Sequence, residues 1–251
     1  MPFGLPALLL AALLAFPQAL PQTPANQRAR RIVDEAIAAL GGQQYLQANQ
    51  RSGSGRLFSF SSTGALSDPG TQFWSYHRFP GEERLELTRH RNVIYIYKAG
   101  QGWEITYKGV QPMSSQRLSQ YRDLSRHSLG TILKSWARNP NTIMLDQGLA
   151  TVEQTQVESV YFSAPNGASA TVDFSLVTHL PVRVSWRRND PLTGGHYQES
   201  VVYGTWSPVG VIETPYSLDY YEGSQRLSQR YYNSVSYAPF PDSLFTPQPL
   251  H

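Results

Sequence analysis

The sequence contains no cysteine among its 251 residues. This absence excludes a disulfide scaffold, a cysteine nucleophile, a thiolate zinc site and a lipid-modified N-terminal cysteine. Lysine is also scarce, with 3 residues against 18 arginines, and the net charge is only +3. So small an excess of positive charge is not a basic stripe, and we expect no nucleic-acid partner. An aromatic content of 12% and a hydrophobic content of 40% exclude a disordered chain.

Only one long apolar run is present, Leu5–Phe16, close to the N-terminus. A membrane-spanning helix needs about 20 apolar residues, whereas the hydrophobic region of a secretory signal needs about 7 to 15. The small residues Thr23 and Ala25 stand at the positions that a signal cleavage site requires. We therefore expect residues 1–25 to form a signal peptide cleaved near Ala25, followed by one exported domain over residues 26–251. An uncleaved anchor is the alternative, because the first four residues contain no Lys or Arg.

Two regions have the 3.6-residue apolar period of helices. The first is Arg28–Leu40, which ends at the Gly41-Gly42 pair. The second is Ser114–Arg138, in which His127-Ser128 indicates a break into two short helices. Most of the chain after Arg51 instead alternates apolar and polar residues between turns rich in Gly and Pro, which predicts about eleven or twelve antiparallel strands. These include a short strand at 142–145, a long one at 151–162 and another at 209–215.

The strand Val93–Lys98 carries apolar residues on both faces. Val93, Tyr95 and Tyr97 share one face, while Ile94 and Ile96 share the other. A sheet with one solvated face alternates apolar and polar residues, so something must cover each side here. The helices of residues 114–138 are the predicted cover. The fold class we predict is mainly β with helical insertions (α+β), a large curved antiparallel sheet that forms an unclosed half-barrel capped by helices.

Motifs for catalysis or for cofactor binding are missing. The six histidines are scattered, without the paired spacing of a zinc enzyme. Ser54 lacks the Gly-x-Ser-x-Gly frame of a nucleophile elbow, and no Gly-rich phosphate loop follows a strand. Thr131 and Lys134 have the spacing of a Ser-x-x-Lys nucleophile, but they lie in an apolar helical face. We expect no cofactor, no metal, no nucleotide and no enzymatic activity.

The acidic residues likewise do not form a catalytic motif. The pair Glu82-Glu83 lies at a predicted turn, and we expect it to be solvated. An enzyme would need a polar cluster assembled from distant strands, for example His77 with Glu86 or with Asp173.

Aromatic and aliphatic residues concentrate on two neighbouring strands and in the helical insertion. They are either ordinary core residues or the lining of a cleft that the unclosed sheet leaves under movable helices. A cleft of this kind suits acyl chains, since burial contributes about 0.8 kcal/mol per methylene. The residues that we predict to line it as wall and lid are Tyr95, Tyr97, Trp103, Tyr107, Leu129, Ile132, Leu133 and Trp136.

Several segments resemble the outer-membrane lipoprotein-sorting (LolA/LolB-like) superfamily. They are Ala38–Gly42, Leu180–Val184, Trp206–Val211 with Pro215, Tyr220–Gly223 and Pro241–Phe245. The resemblance spans most of the chain, and it lies in turns that mark the fold and not in a catalytic signature. It implies an unclosed barrel with helices on the concave side. It also implies a soluble periplasmic carrier that accepts lipoprotein acyl chains, with an inner-membrane donor or an outer-membrane receptor as partner.

The resemblance further implies a strand-borne arginine that holds the lid helices closed. Arg56, Arg84 and Arg183 are the candidates by position. The predicted function is thus an exported soluble carrier of lipid or of lipoprotein acyl chains in the bacterial envelope. The alternative is an envelope interaction or sensor module that uses the same sheet to bind polypeptide, without catalysis.

Overall fold

The computed structural model describes residues 24–189 and 194–250. The predicted signal peptide lies outside the described residues except for Pro24 and Ala25, which begin the first helix. In the described ranges no helix is both long enough and apolar enough to span a membrane. The helical elements are α1 Pro24–Ala39, α2 Gly42–Gln47, α3 Ser115–Arg126, α4 Leu129–Thr131, a π-helical turn Ile132–Trp136 and a 3-10 turn Asp242–Phe245.

Thirteen strands of the described chain form one antiparallel sheet. Their order across the sheet is β6-β5-β4-β3-β2-β1-β13-β12-β11-β10-β9-β8-β7, so that β6 and β7 are unpaired edges and the sheet does not close. This confirms the predicted half-barrel. The strands are β1 Gln50–Ser59, β2 Thr71–Arg78, β3 Glu82–Leu87, β4 Val93–Lys98, β5 Gln101–Thr106, β6 Gly109–Pro112, β7 Ile143–Val152, β8 Thr155–Ser163, β9 Ser169–Ser175, β10 Pro181–Asn189, β11 His196–Val209, β12 Ile212–Glu222 and β13 Gln225–Ser236.

The chain runs outward from the centre of the sheet as a meander from β1 to β6. It then passes through α3, α4 and the π-helical turn to the opposite edge, β7, and returns strand by strand to β13 beside β1. A register shift occurs where β1 meets β13, between Ser54 and Gly55. A Cβ atom on Gly55 would lie only 1.9 Å from the carbonyl oxygen of Tyr231. The central junction therefore requires glycine at this position.

The main core fills the space between the helices and strands β7 to β12. The predicted apolar stripe of α1 is buried here, and it packs with the π-helical turn against the sheet. Burial of each large aliphatic or aromatic side chain contributes about 1.5–3 kcal/mol, so this cluster is the chief stabilising element. Its most deeply buried large side chains are Ile32, Val33, Leu40, Ile132, Leu133, Val160, Phe162, Val172, Phe174 and Val184.

The opposite face of strands β4 and β5 is covered by the C-terminal tail. Phe245, which has no exposed surface, packs against Ile94, Ile96 and Ile105. The prediction that both faces of β4 are covered is therefore correct. However, the predicted cover, residues 114–138, explains only one face, and the 3-10 turn of the tail covers the other.

Two sets of predicted strand boundaries were wrong. Strand β7 runs without interruption through residues 143–152, and the β7–β8 hairpin turns at Glu153 and Gln154. These residues have φ values of 46° and 61°, and since neither is Gly or Asn, the turn leaves no sequence signal. The predicted strand 209–215 is divided by a turn at Gly210 and Val211: Val209 ends β11, and residues 212–215 begin β12, which continues to Glu222.

Candidate functional site

A cavity of about 250 Å³ lies between the centre of the sheet and the helices. Its floor is formed by β1, β2 and β3 on one side and by β11, β12 and β13 on the other. Its roof is formed by α2, α3 and α4. The residues that line the cavity include Tyr45, Arg51, His77, Phe79, Glu83, Tyr121, Leu124, Ser125, His127, Leu129, Lys134, Val201, Leu218, Tyr220, Arg230 and Tyr232.

Helix α3 closes one side of this cavity without burying any of its own residues. The Tyr121 ring stacks on Tyr97 with 3.4 Å between the ring centroids, and its hydroxyl donates to the Gly81 carbonyl oxygen at 3.2 Å. Trp186 Nε1 donates to the carboxylate of Asp123 at 3.0 Å. Arg122 donates to the Gly100 carbonyl oxygen and Arg117 pairs with Glu104 at 3.5 Å, so α3 is held to the sheet by polar and surface contacts.

The two residues directly after α3, His127 and Ser128, are held in place by buried contacts. The imidazole of His127 stacks on the Trp186 indole with ring centroids 4.9 Å apart, and its Nδ1 lies 2.9 Å from the Asp123 carbonyl oxygen. Burial lowers the pKa of His127, so the ring is neutral at pH 7. The Ser128 hydroxyl then accepts from the Thr131 backbone amide and caps α4. The predicted break at His127-Ser128 thus separates α3, which has no buried residue, from α4, whose Leu129 is held in the core.

The floor of the cavity carries a row of ionisable side chains. Arg51 on β1 lies opposite His77 on β2, which in turn lies opposite Glu83 on β3. On the other side of β1, Arg230 of β13 forms an ion pair with Glu83, with 3.1 Å between Nη1 and Oε1. Lys134 of the π-helical turn adds an ammonium group from the roof.

These groups carry more positive than negative charge at neutral pH. Burial, assisted by the nearby cations, lowers the pKa of His77 and keeps it neutral. Burial also lowers the pKa of Lys134 to about 8, so this side chain stays protonated at pH 7. Burial alone would lower the pKa of Arg230, but Tyr220 and Glu83 raise it well above its ordinary value. The lining therefore holds three cations and one carboxylate.

Two of these cations have carbonyl oxygens and aromatic rings as partners. Arg51 Nη2 donates to the Pro215 carbonyl oxygen at 3.3 Å, and its guanidinium carbon lies 4.5 Å from the centre of the Tyr232 ring. The Arg51 Nε is buried without a hydrogen-bond partner among the described residues. Lys134 Nζ donates to the Ala48 carbonyl oxygen at 2.5 Å. Within the described chain, neither Arg51 nor Lys134 has a carboxylate at ion-pair distance.

The predicted ligand-binding residues fall into separate places. Leu129 lines the cavity, and Tyr97 lies behind it, stacked on Tyr121. Tyr95 is on the same face of the sheet and lies under the Arg117 guanidinium, 4.6 Å from its carbon to the ring centre. The remaining three helical residues, Ile132, Leu133 and Trp136, are buried in the main core.

The other two predicted residues lie away from the cavity. Trp103 packs on the opposite face of the sheet with the cluster around Phe245. Tyr107 lies in the turn between β5 and β6 and is 86% exposed. The structure thus brings Leu129 and Tyr97 to the region of the cavity and separates Trp103 and Tyr107 from it.

One expectation about polar residues was wrong, and the polar cluster that an enzyme would need is not formed among the described residues. Glu83 is not solvated, because its side chain is 14% exposed and paired with Arg230. His77 meets neither Glu86 nor Asp173. Glu86 binds Arg84, and Asp173 accepts from the Ser159 hydroxyl at 2.6 Å.

The part of the chain that the structure describes contains no group of three or more His, Asp or Glu residues arranged to hold a metal ion.

The candidates for a lid-holding arginine are also wrong. Arg56 donates to carbonyl oxygens of the β1–β2 loop, Arg84 donates to the Leu244 carbonyl oxygen, and Arg183 pairs with Asp173. Other cations join the roof to neighbouring elements: Lys134 bonds to Ala48, the residue after α2, while Arg117 and Arg122 of α3 bond to Glu104 of β5 and to the Gly100 carbonyl oxygen.

Comparison with known proteins finds similarity of fold. No family model and no curated protein matches the chain. A solved DUF1329 family protein from Desulfovibrio piger is 12% identical, with a TM-score of 0.60 over 89% of this chain and 98% of that one. A LolA superfamily protein from Nitrosomonas europaea is 11% identical, with a TM-score of 0.56 over 89% and 98%. An outer-membrane lipoprotein-sorting protein domain from Vibrio parahaemolyticus is 9% identical, with a TM-score of 0.55 over 88% and 97%. The fold is LolA-like.

Proposed function

We propose that the protein is an exported carrier that binds a lipid or a lipoprotein acyl chain in the cavity beneath α3, within the bacterial cell envelope. The observation that carries this proposal is an unfilled cavity closed by a helix that buries none of its own residues. The LolA-like fold supports it, since a solved protein with this fold is described as a lipoprotein-sorting domain. We assign Leu129 to the ligand-contacting wall of the cavity, Tyr97 to the wall of the neighbouring groove under α3, and Ile132, Leu133 and Trp136 to the packed layer behind the cavity.

The size of the cavity requires α3 to move. Pockets for small ligands are usually about 300–1,000 Å³, so the closed cavity of about 250 Å³ is too small for a complete acyl chain. A second groove of about 380 Å³ lies on the other side of α3 and shares Tyr121 and Ser125 with the cavity. Displacement of α3 would join the two spaces. Burial of about 15 methylenes contributes on the order of 12 kcal/mol before ordering costs, which exceeds the cost of releasing a few polar contacts.

A second candidate function is polypeptide binding. Strand β7 is an unpaired edge on which Ile143 and Leu149 are 42% and 66% exposed. An extended peptide can add to such an edge through backbone hydrogen bonds. A crosslinked polypeptide on β7, together with an empty cavity, would favour this function over the carrier.

The absence of cysteine permits a direct test of the lid. A Cβ atom built on Gly81 lies 3.8 Å from the Ser125 hydroxyl oxygen of α3, so the two positions are neighbours and a Gly81→Cys/Ser125→Cys variant is the disulfide to build across this contact. The φ of 82° at residue 81 adds a strain of about 1–2 kcal/mol to this variant. We expect the oxidised variant to exclude a long-chain fluorescent lipid and the reduced form to bind it, with the two single-cysteine variants as controls.

Native mass spectrometry completes the test. The purified protein should carry co-purified lipid or should take it up on incubation, and its mass should reveal whether the signal has been cleaved near Ala25. A homogeneous unliganded mass after incubation with lipid would refute the carrier function.

A further inference from the structure

We infer that the cavity selects amphiphiles with an anionic head group, carboxylate or phosphate, which Arg51 and Lys134 bind. This inference rests on the proposed carrier function and specifies the chemical class of its ligand.

The charges of the cavity lining do not balance. Glu83 is the single carboxylate among the described lining residues, and it already pairs with Arg230. Arg51 and Lys134 therefore stand without a counter-charge in the described chain. Together they leave the cavity with two positive charges that the protein does not neutralise.

The two unpaired cations cost free energy in the closed protein. A charged group that leaves water without an opposite charge is unfavourable, and carbonyl oxygens and ring faces offset only part of the cost. Arg51 in addition leaves its buried Nε without an acceptor. A carboxylate or phosphate supplies the missing charge, and it can accept two parallel hydrogen bonds from one guanidinium. Of all the ligand groups that could enter, an anion gains most from these two side chains.

Apolar surface lies beside the two cations in the same cavity. Leu124 and Leu129 line the roof of the same cavity, and Val201 and Leu218 line its floor. These side chains offer no hydrogen bond to a small polar anion such as free phosphate. An anion that carries an acyl tail satisfies both the cations and the apolar walls.

A series of twelve-carbon ligands tests the inference. Dodecanoate and dodecyl phosphate carry the two possible head groups, dodecanol is the neutral analogue and dodecylammonium is the cationic one. With calorimetry below the concentration of micelle formation, both anions should bind about tenfold or more tightly than dodecanol, which is the factor that one charged hydrogen bond supplies. Dodecylammonium should bind most weakly. Comparison of the two anions distinguishes a fatty-acid carboxylate from a lipid phosphate.

Variants then assign the effect to the two cations. Arg51→Gln and Lys134→Gln should each lower the affinity for both anions about tenfold more than that for dodecanol. Arg89→Gln and Lys108→Gln are the matched controls, because both side chains are exposed and neither lines the cavity. Glu83→Gln removes the carboxylate and should raise the affinity for anions, whereas mere damage to the cavity would lower it.

The outcomes separate the two proposals. If dodecanol binds as tightly as the anions, or if Arg51→Gln and Lys134→Gln weaken neutral and anionic ligands equally, the inference is wrong and the carrier function stands. If no member of the series binds, the carrier function itself fails.

Discussion

Helix α3 should open about 30-fold more often when Tyr121 is replaced by alanine. The Tyr121→Ala change removes the stack on Tyr97, which contributes about 0.5–1.5 kcal/mol beyond its buried area, and the hydrogen bond to the Gly81 carbonyl oxygen, which contributes about 1 kcal/mol. The sum is about 2 kcal/mol, which corresponds to about a 30-fold change in the opening equilibrium. No buried side chain of α3 opposes this opening.

Amide hydrogen exchange measures the opening directly. A detached helix of 12 residues is marginally stable on its own, so the backbone amides of α3 exchange when it leaves the sheet. We expect faster exchange in residues 118–126 and unchanged exchange in α1, which is held by the main core. Tyr107→Ala is the matched control, since this tyrosine is 86% exposed in a turn.

Two results would refute this reasoning. If α3 in Tyr121→Ala exchanges within about threefold of the unmodified protein, the stack and the hydrogen bond do not hold the helix. If α1 accelerates by the same factor as α3, opening is global and α3 is not an independent lid.

Two further predictions concern stability. Gly55→Ala should lower the free energy of unfolding in urea by about 3 kcal/mol or more, because its Cβ would overlap the Tyr231 carbonyl oxygen. The control Gly204→Ala, whose Cβ would lie 3.8 Å from Ser217, should have little effect. Equal effects of the two substitutions would contradict the requirement for glycine at the central junction. Burial lowers the pKa of Lys134 to about 8, while its unfolded value is about 10.4, so the unfolded state binds more protons between these values. The free energy of unfolding should therefore rise with pH over this window relative to Lys134→Met, and parallel pH profiles of the two proteins would show that the charge of Lys134 is not buried.

The sheet could be predicted from sequence wherever turn residues mark the ends of a strand and the alternation of its side chains defines the two faces. In β4, the alternation of Tyr95 and Tyr97 with Ile94 and Ile96 established both the strand and the need for cover on each side. The β7–β8 hairpin could not be predicted, since its turn uses Glu153 and Gln154 at positive φ without a glycine. The cover that the C-terminal tail provides was not predicted, because Phe245 packs against strands β4 and β5, which are distant from it in the chain.

The charged floor of the cavity could not be predicted for a different reason. Arg51, His77 and Glu83 come together only through strand register, and Arg230 joins them only because the last strand pairs with the first. Each of these residues on its own strand has the pattern of an ordinary solvent-facing position. The break before α4 was predictable, because its His-Ser pair and the apolar spacing after it are local.

The pairing of β1 with β13 also governs when the cavity can exist. Gly55 lies opposite Tyr232, so the central seam joins segments from the two ends of the sheet-forming sequence. Pairing over so long a separation is slow compared with local hairpins, which form early. Arg230 and Tyr232 belong to the strand that follows all the others in chain order. During synthesis the first hairpins can therefore form before the rest of the sheet. The cavity is complete only after β13 has been synthesised and has paired with β1, so a nascent chain that lacks β13 cannot bind a ligand there.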